Sequence, residues 1–372
     1  MEYNKSNNIA GSKIRNSNIE LLRIFAMFAI VMSHNVMCCK IDASKMPLCF
    51  NRVFLESMSL GKLGVAIFVM ITGYYMCKTT FKISRVINVV LQTLFYSISL
   101  FTIFVILDKL DFSFNKLAHS LFPIITNTYW FVTAYVLLLF VVPFINLIIN
   151  RISLQKFRIL VLVFAFWFSF APTFLDFDAF SFGGHISYFI LFYLVGAYLR
   201  LYPDNLLSKK RNAVITIVSI SLFMLLSIIC IDYIGLNWIS SLNGLNGKFY
   251  TVFSITVLIL SASLLNFFAN LNPKHSKIIN TAGKCTFGVY LIHTGLYITP
   301  NIWHLFNTPK FAESPFLIFY VVMASAVVYI GCSIIELLRI NIIERYILKK
   351  VNQKIIYLAE KIQDKVLLLL NK

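Results

Sequence analysis

Two side chains of opposite chemical use sit in one apolar run. Arg23 and His34 both fall in the segment 19–39, which is otherwise almost wholly apolar. At about 100° per residue, eleven helical steps return to within about 20° of the starting direction. The two side chains therefore share a face, roughly 16 Å apart along the axis. An imidazole can take a proton from a hydroxyl or act as a nucleophile, and a guanidinium binds phosphate through parallel hydrogen bonds. Each residue alone has a plainer reading. Arg23 could reach lipid headgroups with its long stem, and His34 could bond a backbone carbonyl in the core. A central arginine is costly in lipid, so two polar groups on one face argue for a shared interior path.

The elements that must position them are membrane helices. The chain has 372 residues, 59% hydrophobic and 13% charged, with mean hydropathy +0.80. Soluble domains carry about 25% charge, so the expected class is an all-α polytopic membrane bundle. Ten apolar segments lie near 19–39, 60–77, 86–107, 129–149, 158–175, 185–201, 212–231, 250–271, 285–304 and 316–338. With both termini placed in the cytoplasm, 24 of the 33 Lys and Arg fall on the inner side, 8 on the outer side and Arg23 within the first span. That bias follows the positive-inside rule. It explains the net charge of +18 without nucleic acid as a partner. Glu20 and Glu336 fall near inner ends, and Asp176, Asp178 and Asp232 near outer ones. No carboxylate is thereby placed beside His34. A hydroxyl or amide, such as Ser33, Asn35 or a tyrosine of another span, is left to orient it. The seven cysteines show no CxxC pair and no metal-like spacing with histidine, so no metal is expected.

The chain divides at 338. Residues 1–338 carry the spans, and 339–372 form a basic tail in which Ile343, Ile347, Val351, Ile355 and Ile362 recur at helical spacing among lysines. Such a helix suits the inner leaflet, or packing beneath the bundle. On physics alone, ten spans with an intramembrane Arg and His suit a transporter or flippase for a polysaccharide or lipid-linked sugar as well as an enzyme. No inverted repeat is visible to favour that reading.

Four motifs in order resemble the membrane acyltransferase-3 family. The first is Arg23 and His34 in the first span. The second is Gly61, Gly64, Val65, Phe68, Thr72, Gly73 and Tyr74, similar to the family's GxxGVxxFFxxSG helix, with Thr72 where Ser is more usual. The third is Tyr129, Trp130, Phe131, Tyr135 and Pro143. The fourth runs from Gly283 through Tyr290 to His293. The resemblance covers roughly residues 17–338.

It implies transfer of an acyl group, usually acetyl from cytoplasmic acetyl-CoA, to a hydroxyl of a sugar or other acceptor, with the Arg and His of the first helix as the key pair. A surface or secreted polysaccharide such as capsule or exopolysaccharide, or its lipid-linked precursor, is then the expected acceptor. A bacterial plasma membrane is the expected place, with polysaccharide-synthesis proteins as possible partners. Coenzyme A is polyanionic, so Arg23, Lys82 and Arg85 are expected to hold its phosphates, although the stretch around Lys82 and Arg85 is poorer in arginine than in many relatives. His34 is expected at the thioester, as general base or as a transiently acylated nucleophile. His293 is expected to support the acyl arm or the oxyanion, or to make a structural hydrogen bond. Tyr129, Trp130 and Tyr135 are candidates for stacking on the acceptor, with an aromatic membrane belt as the simpler role of the first two.

Overall fold

The computed structural model describes residues 15–58, 61–175, 184–242 and 245–370. Lys5, Lys13, Lys372, Asp176 and Asp178 lie outside them. The described regular elements are all helical. They are α1 (Ser17–Cys38), α2 (Phe50–Ser57), α3 (Gly61–Met76), α4 (Ile83–Ile106), α5 (Phe114–Leu121), α6 (Trp130–Ile149), α7 (Leu154–Ala165), α8 (Ala171–Phe174), α9 (His185–Leu201), α10 (Lys210–Asn237), α11 (Ile255–Ala269), α12 (Lys277–His293), α13 (Thr299–His304), α14 (Leu317–Leu338) and α15 (Lys349–Leu370). Among the described residues, eight helical stretches are long and apolar enough to cross a membrane, and α9 is a shorter apolar helix. The chain is an all-α polytopic bundle. Helices close their own backbone hydrogen bonds, which lipid cannot do for them.

α1 runs through the middle of the bundle, against α3, α11, α12 and α14. Asn16 caps it by accepting a hydrogen bond from the Asn18 N–H, and Glu20 complements the helix dipole in the first turn. Its start is pinned to the segment leading into α12. Asn18 Nδ2 donates to the Asn272 carbonyl at 2.9 Å, and the Ser17 hydroxyl donates to Asn280 Oδ1 at 2.8 Å. Its far end is pinned by Asn35, which is fully buried. Asn35 Nδ2 donates to Ser325 Oγ at 3.1 Å, and its Oδ1 accepts from the Thr308 hydroxyl at 3.1 Å. Polar ties at both ends fix the height and rotation of the stripe that carries Arg23 and His34.

α3 packs closely between α1 and α9 because its contacts are made backbone to backbone. A Cβ at Gly64 would run into the Ala26 carbonyl oxygen of α1, and one at Gly196 of α9 would run into the Met70 carbonyl of α3. Small residues allow such approach where lipid offers no hydrophobic drive for association.

The expected span 285–304 divides in two. α12 begins earlier, at Lys277, where the Ser276 hydroxyl accepts from the Ile279 N–H at 3.4 Å. It stops at His293, Gly295 follows, and α13 starts with Pro300 in its first turn. Glycine and proline each weaken a continuous helix, so an apolar run there is not one rod. After α14 the chain continues through a π-helical stretch, Arg339–Leu348, into α15. α15 lies along α4, where the Ile83 N–H donates to Gln363 Oε1 at 3.1 Å. Its Val351, Leu358 and Ile362 remain exposed.

Candidate active site

A cavity of about 430 Å³ opens along the α1 stripe. α1 contributes Arg23, Met27, Ile30, His34 and Met37, which recur at steps of three and four. Opposite them stand Val65, Phe68 and Thr72 of α3, and Thr286, Phe287 and Tyr290 of α12. Trp130, Phe131 and Tyr135 of α6 close one wall. All four motifs thus meet around one space, the first as the α1 stripe and the fourth on α12.

Arg23 stands at the end nearest the start of α1. Its Nη1 lies 3.4 Å from Glu20 Oε1, and Arg15 Nη1 lies 3.5 Å from the same oxygen. Glu20 is buried against Gly283. The pairing is incomplete. Arg23 Nε and Glu20 Oε2 are buried without a hydrogen-bond partner among the described residues. A buried donor on a charged group left unpaired costs free energy, and an incoming anion would supply the missing acceptor. Lys284 and Arg15 line the same cavity. Arg15 and Arg23 also border an adjoining vestibule of about 560 Å³, which adds Tyr74, Tyr75 and Arg200. Arg200 Nη1 donates to the Tyr74 hydroxyl at 3.2 Å, and its guanidinium sits 5.0 Å from the centre of that ring.

His34 stands at the other end. Its Nδ1 is 2.9 Å from His293 Nε2, and His293 Nδ1 is 2.6 Å from the Val289 carbonyl oxygen. The tautomers follow from these partners. A carbonyl oxygen only accepts, so His293 Nδ1 carries the proton. With His293 neutral, its Nε2 is then the acceptor, and His34 Nδ1 must donate to it. The proton of neutral His34 is therefore committed to Nδ1, and Nε2 keeps a bare lone pair. No protein group among the described residues bonds that nitrogen, and the ring lines the cavity. His293 itself is fully buried and lies behind His34 rather than on the cavity.

The remaining candidates separate. Trp130 faces the cavity with its ring centre 4.5 Å from that of His185. Tyr135 stacks on Phe131 at 5.8 Å. The Tyr135 hydroxyl lies 3.1 Å from Thr72 Oγ1, which itself donates to the Phe68 carbonyl, so Tyr135 is the donor. Tyr129 is buried away from the cavity and donates to the Leu291 carbonyl at 3.2 Å, tying α6 to α12. Lys82 and Arg85 line neither the cavity nor the vestibule. Arg85 Nη1 instead donates to Thr79 Oγ1 at 3.0 Å. The cations that do stand with Arg23 are Arg15, Lys284 and Arg200, none of which the sequence reading singled out. Lys284 lies inside the fourth motif, directly after Gly283, so its place beside α1 was open to inference.

A family model described as an acyltransferase domain matches residues 16–336. No curated protein and no solved structure matches the chain.

Proposed function

Since the chain belongs to the membrane acyltransferase-3 family, we propose that this membrane acyltransferase moves acetyl from acetyl-CoA to a hydroxyl of a cell-envelope glycan or its lipid-linked precursor. The carrying observation is the hydrogen-bond chain from Val289 through His293 to His34, which leaves one basic nitrogen facing a cavity whose other end holds Arg23.

The donor supplies its acyl group as a thioester, activated toward an oxygen nucleophile. The residues present fit its polyanionic part. Arg23 offers an unpaired Nε, and Arg15, Lys284 and Arg200 surround the same mouth. The excess of Lys and Arg on that side of the threading supports a cytoplasmic mouth in a bacterial plasma membrane. His34 Nε2 accepts the acceptor's hydroxyl proton while the oxygen attacks. The resulting imidazolium keeps its Nδ1–H on His293, a charge-assisted bond stronger than the neutral one it replaces. His34 then returns the proton to the departing sulfur. Phe68, Phe131, Phe287 and Tyr290 give the site apolar walls, which disfavour competing water. Trp130 and Tyr135 present ring faces suited to a sugar.

The test uses membrane vesicles and acetyl-CoA labelled in the acetyl group. Label is expected on a glycan fraction with the wild type and not with His34→Ala. Equal labelling by the two proteins would sink the assignment of His34. Movement of the sugar without any acetyl-CoA would favour a transporter instead.

A further inference from the structure

The cavity carries a charge that the acyl donor does not account for. Four basic side chains line it, Arg15, Arg23, Lys62 and Lys284, and no Asp or Glu does so among the described residues. Three of them gather at the start of α1. Arg15 precedes the helix, Arg23 lies on its second turn, and Lys284 follows the glycine that abuts Glu20. Lys62 is at the opposite end. It follows Gly61, which packs on Ser33, the residue before His34. Ten residues of α1 separate Ser33 from Arg23, about 15 Å along the axis. Lys62 thus borders the cavity on the His34 side. Among the described residues it forms no ion pair with a carboxylate.

From this placement we infer that the acyl acceptor is an anionic saccharide, bearing a carboxylate or a phosphate that Lys62 holds while a neighbouring hydroxyl meets His34. This rests on the acyl-transfer reading and sharpens it to a substrate class. Lys62 is exposed at the rim of the cavity, and an ammonium there without a carboxylate partner favours a ligand that brings the opposite charge. Trp130 and Tyr135 line the same cavity and give a sugar ring an apolar face to lie on. A neutral sugar would leave the ammonium without an ionic partner. Lysine acts as a point charge rather than a planar fork, so it tolerates a carboxylate and a phosphate alike. The inference therefore names their shared charge and leaves the two sources to experiment.

The test uses the full chain purified in detergent, labelled acetyl-CoA, and three acceptors on one scaffold: p-nitrophenyl glucoside, the matching glucuronide and the glucoside 6-phosphate. The wild type should prefer at least one anionic sugar by about tenfold to a hundredfold in kcat/KM, the range of one charge-assisted hydrogen bond. Whichever anionic sugar leads identifies carboxylate or phosphate as the group held. Lys62→Met should reduce turnover of the anionic sugars at least about tenfold more than that of the glucoside, while Lys62→Arg should keep the preference. Equal loss on all three sugars would assign Lys62 to the acyl-transfer step and overturn the inference. So would a wild type indifferent to charge, or a preference that survives in Lys62→Met. Equilibrium dialysis of the same sugars, without donor, separates this idea from the one beneath it. If none of the sugars is acetylated, the acetyl-transfer reading loses its support. Tighter binding of an anionic sugar, abolished in Lys62→Met, would still sustain the charge preference, and equal binding of all three would refute it.

Discussion

Replacing His293 by leucine isolates what the second imidazole does. The substitution removes the acceptor 2.9 Å from His34 Nδ1 and the donor 2.6 Å from the Val289 carbonyl, without touching the cavity wall. His34 then loses the partner that fixes its proton on Nδ1, and in the proposed transfer its imidazolium would lose a charge-assisted bond. Such a bond contributes about 1.5–3 kcal/mol. At about 1.4 kcal/mol per tenfold, kcat should fall roughly 10- to 150-fold. KM for acetyl-CoA should stay within about twofold, because His293 does not border the cationic mouth. Glutamine is the informative control. Its amide carries one acceptor and one donor group, so His293→Gln can bond both His34 and Val289 and should recover much of the lost rate. Steady-state kinetics of labelled acetyl transfer, with the melting temperature of each variant in detergent, would measure this. Equal losses in the leucine and glutamine variants would refute the tautomer argument. A raised KM at unchanged kcat would show that His293 handles the donor.

Other perturbations address other parts of the site. His34→Ala should lower transfer by about 10²- to 10⁴-fold, the usual contribution of a general base, while the protein still purifies as a folded species; near-normal rates would exclude His34. Arg23→Ala should raise KM for acetyl-CoA about tenfold or more, and Arg200→Ala should raise it more than Arg85→Ala does. The reverse order would move the phosphate site to the start of α4. Gly64→Ala should destabilise the fold by about 1–3 kcal/mol through collision with the Ala26 carbonyl, read as a lower melting temperature. An unchanged melting temperature would mean that α1 and α3 separate more easily than their packing indicates.

Periodicity made part of this site legible. The residues of the α1 stripe sit three and four positions apart, and a helix projects such positions onto one face whatever surrounds it. Class was equally plain, because long apolar runs leave few structures available. The limits have physical causes. His34 and His293 are 259 positions apart, and their pairing depends on how α1 and α12 are rotated against each other. Nothing local encodes that rotation. The break after His293 hid inside an apolar run, where hydropathy averages over Gly295 and Pro300. Lys82 and Arg85 looked suitable by side of the membrane alone. Depth and azimuth, which decide what lines a cavity, instead brought Arg15, Lys284 and Arg200 to Arg23.

The polar ties at both ends of α1 bear on how this protein can diversify. Asn18 and Ser17 hold one end, and Asn35 holds the other, so the spacing of Arg23 and His34 is a fixed frame. Lys62, Trp130 and Tyr135 lie on other helices, outside that frame. Substitutions there can accumulate without shifting the frame itself. A combinatorial library confined to those three positions would therefore reshape one side of the cavity while the Arg23–His34 spacing stays constant.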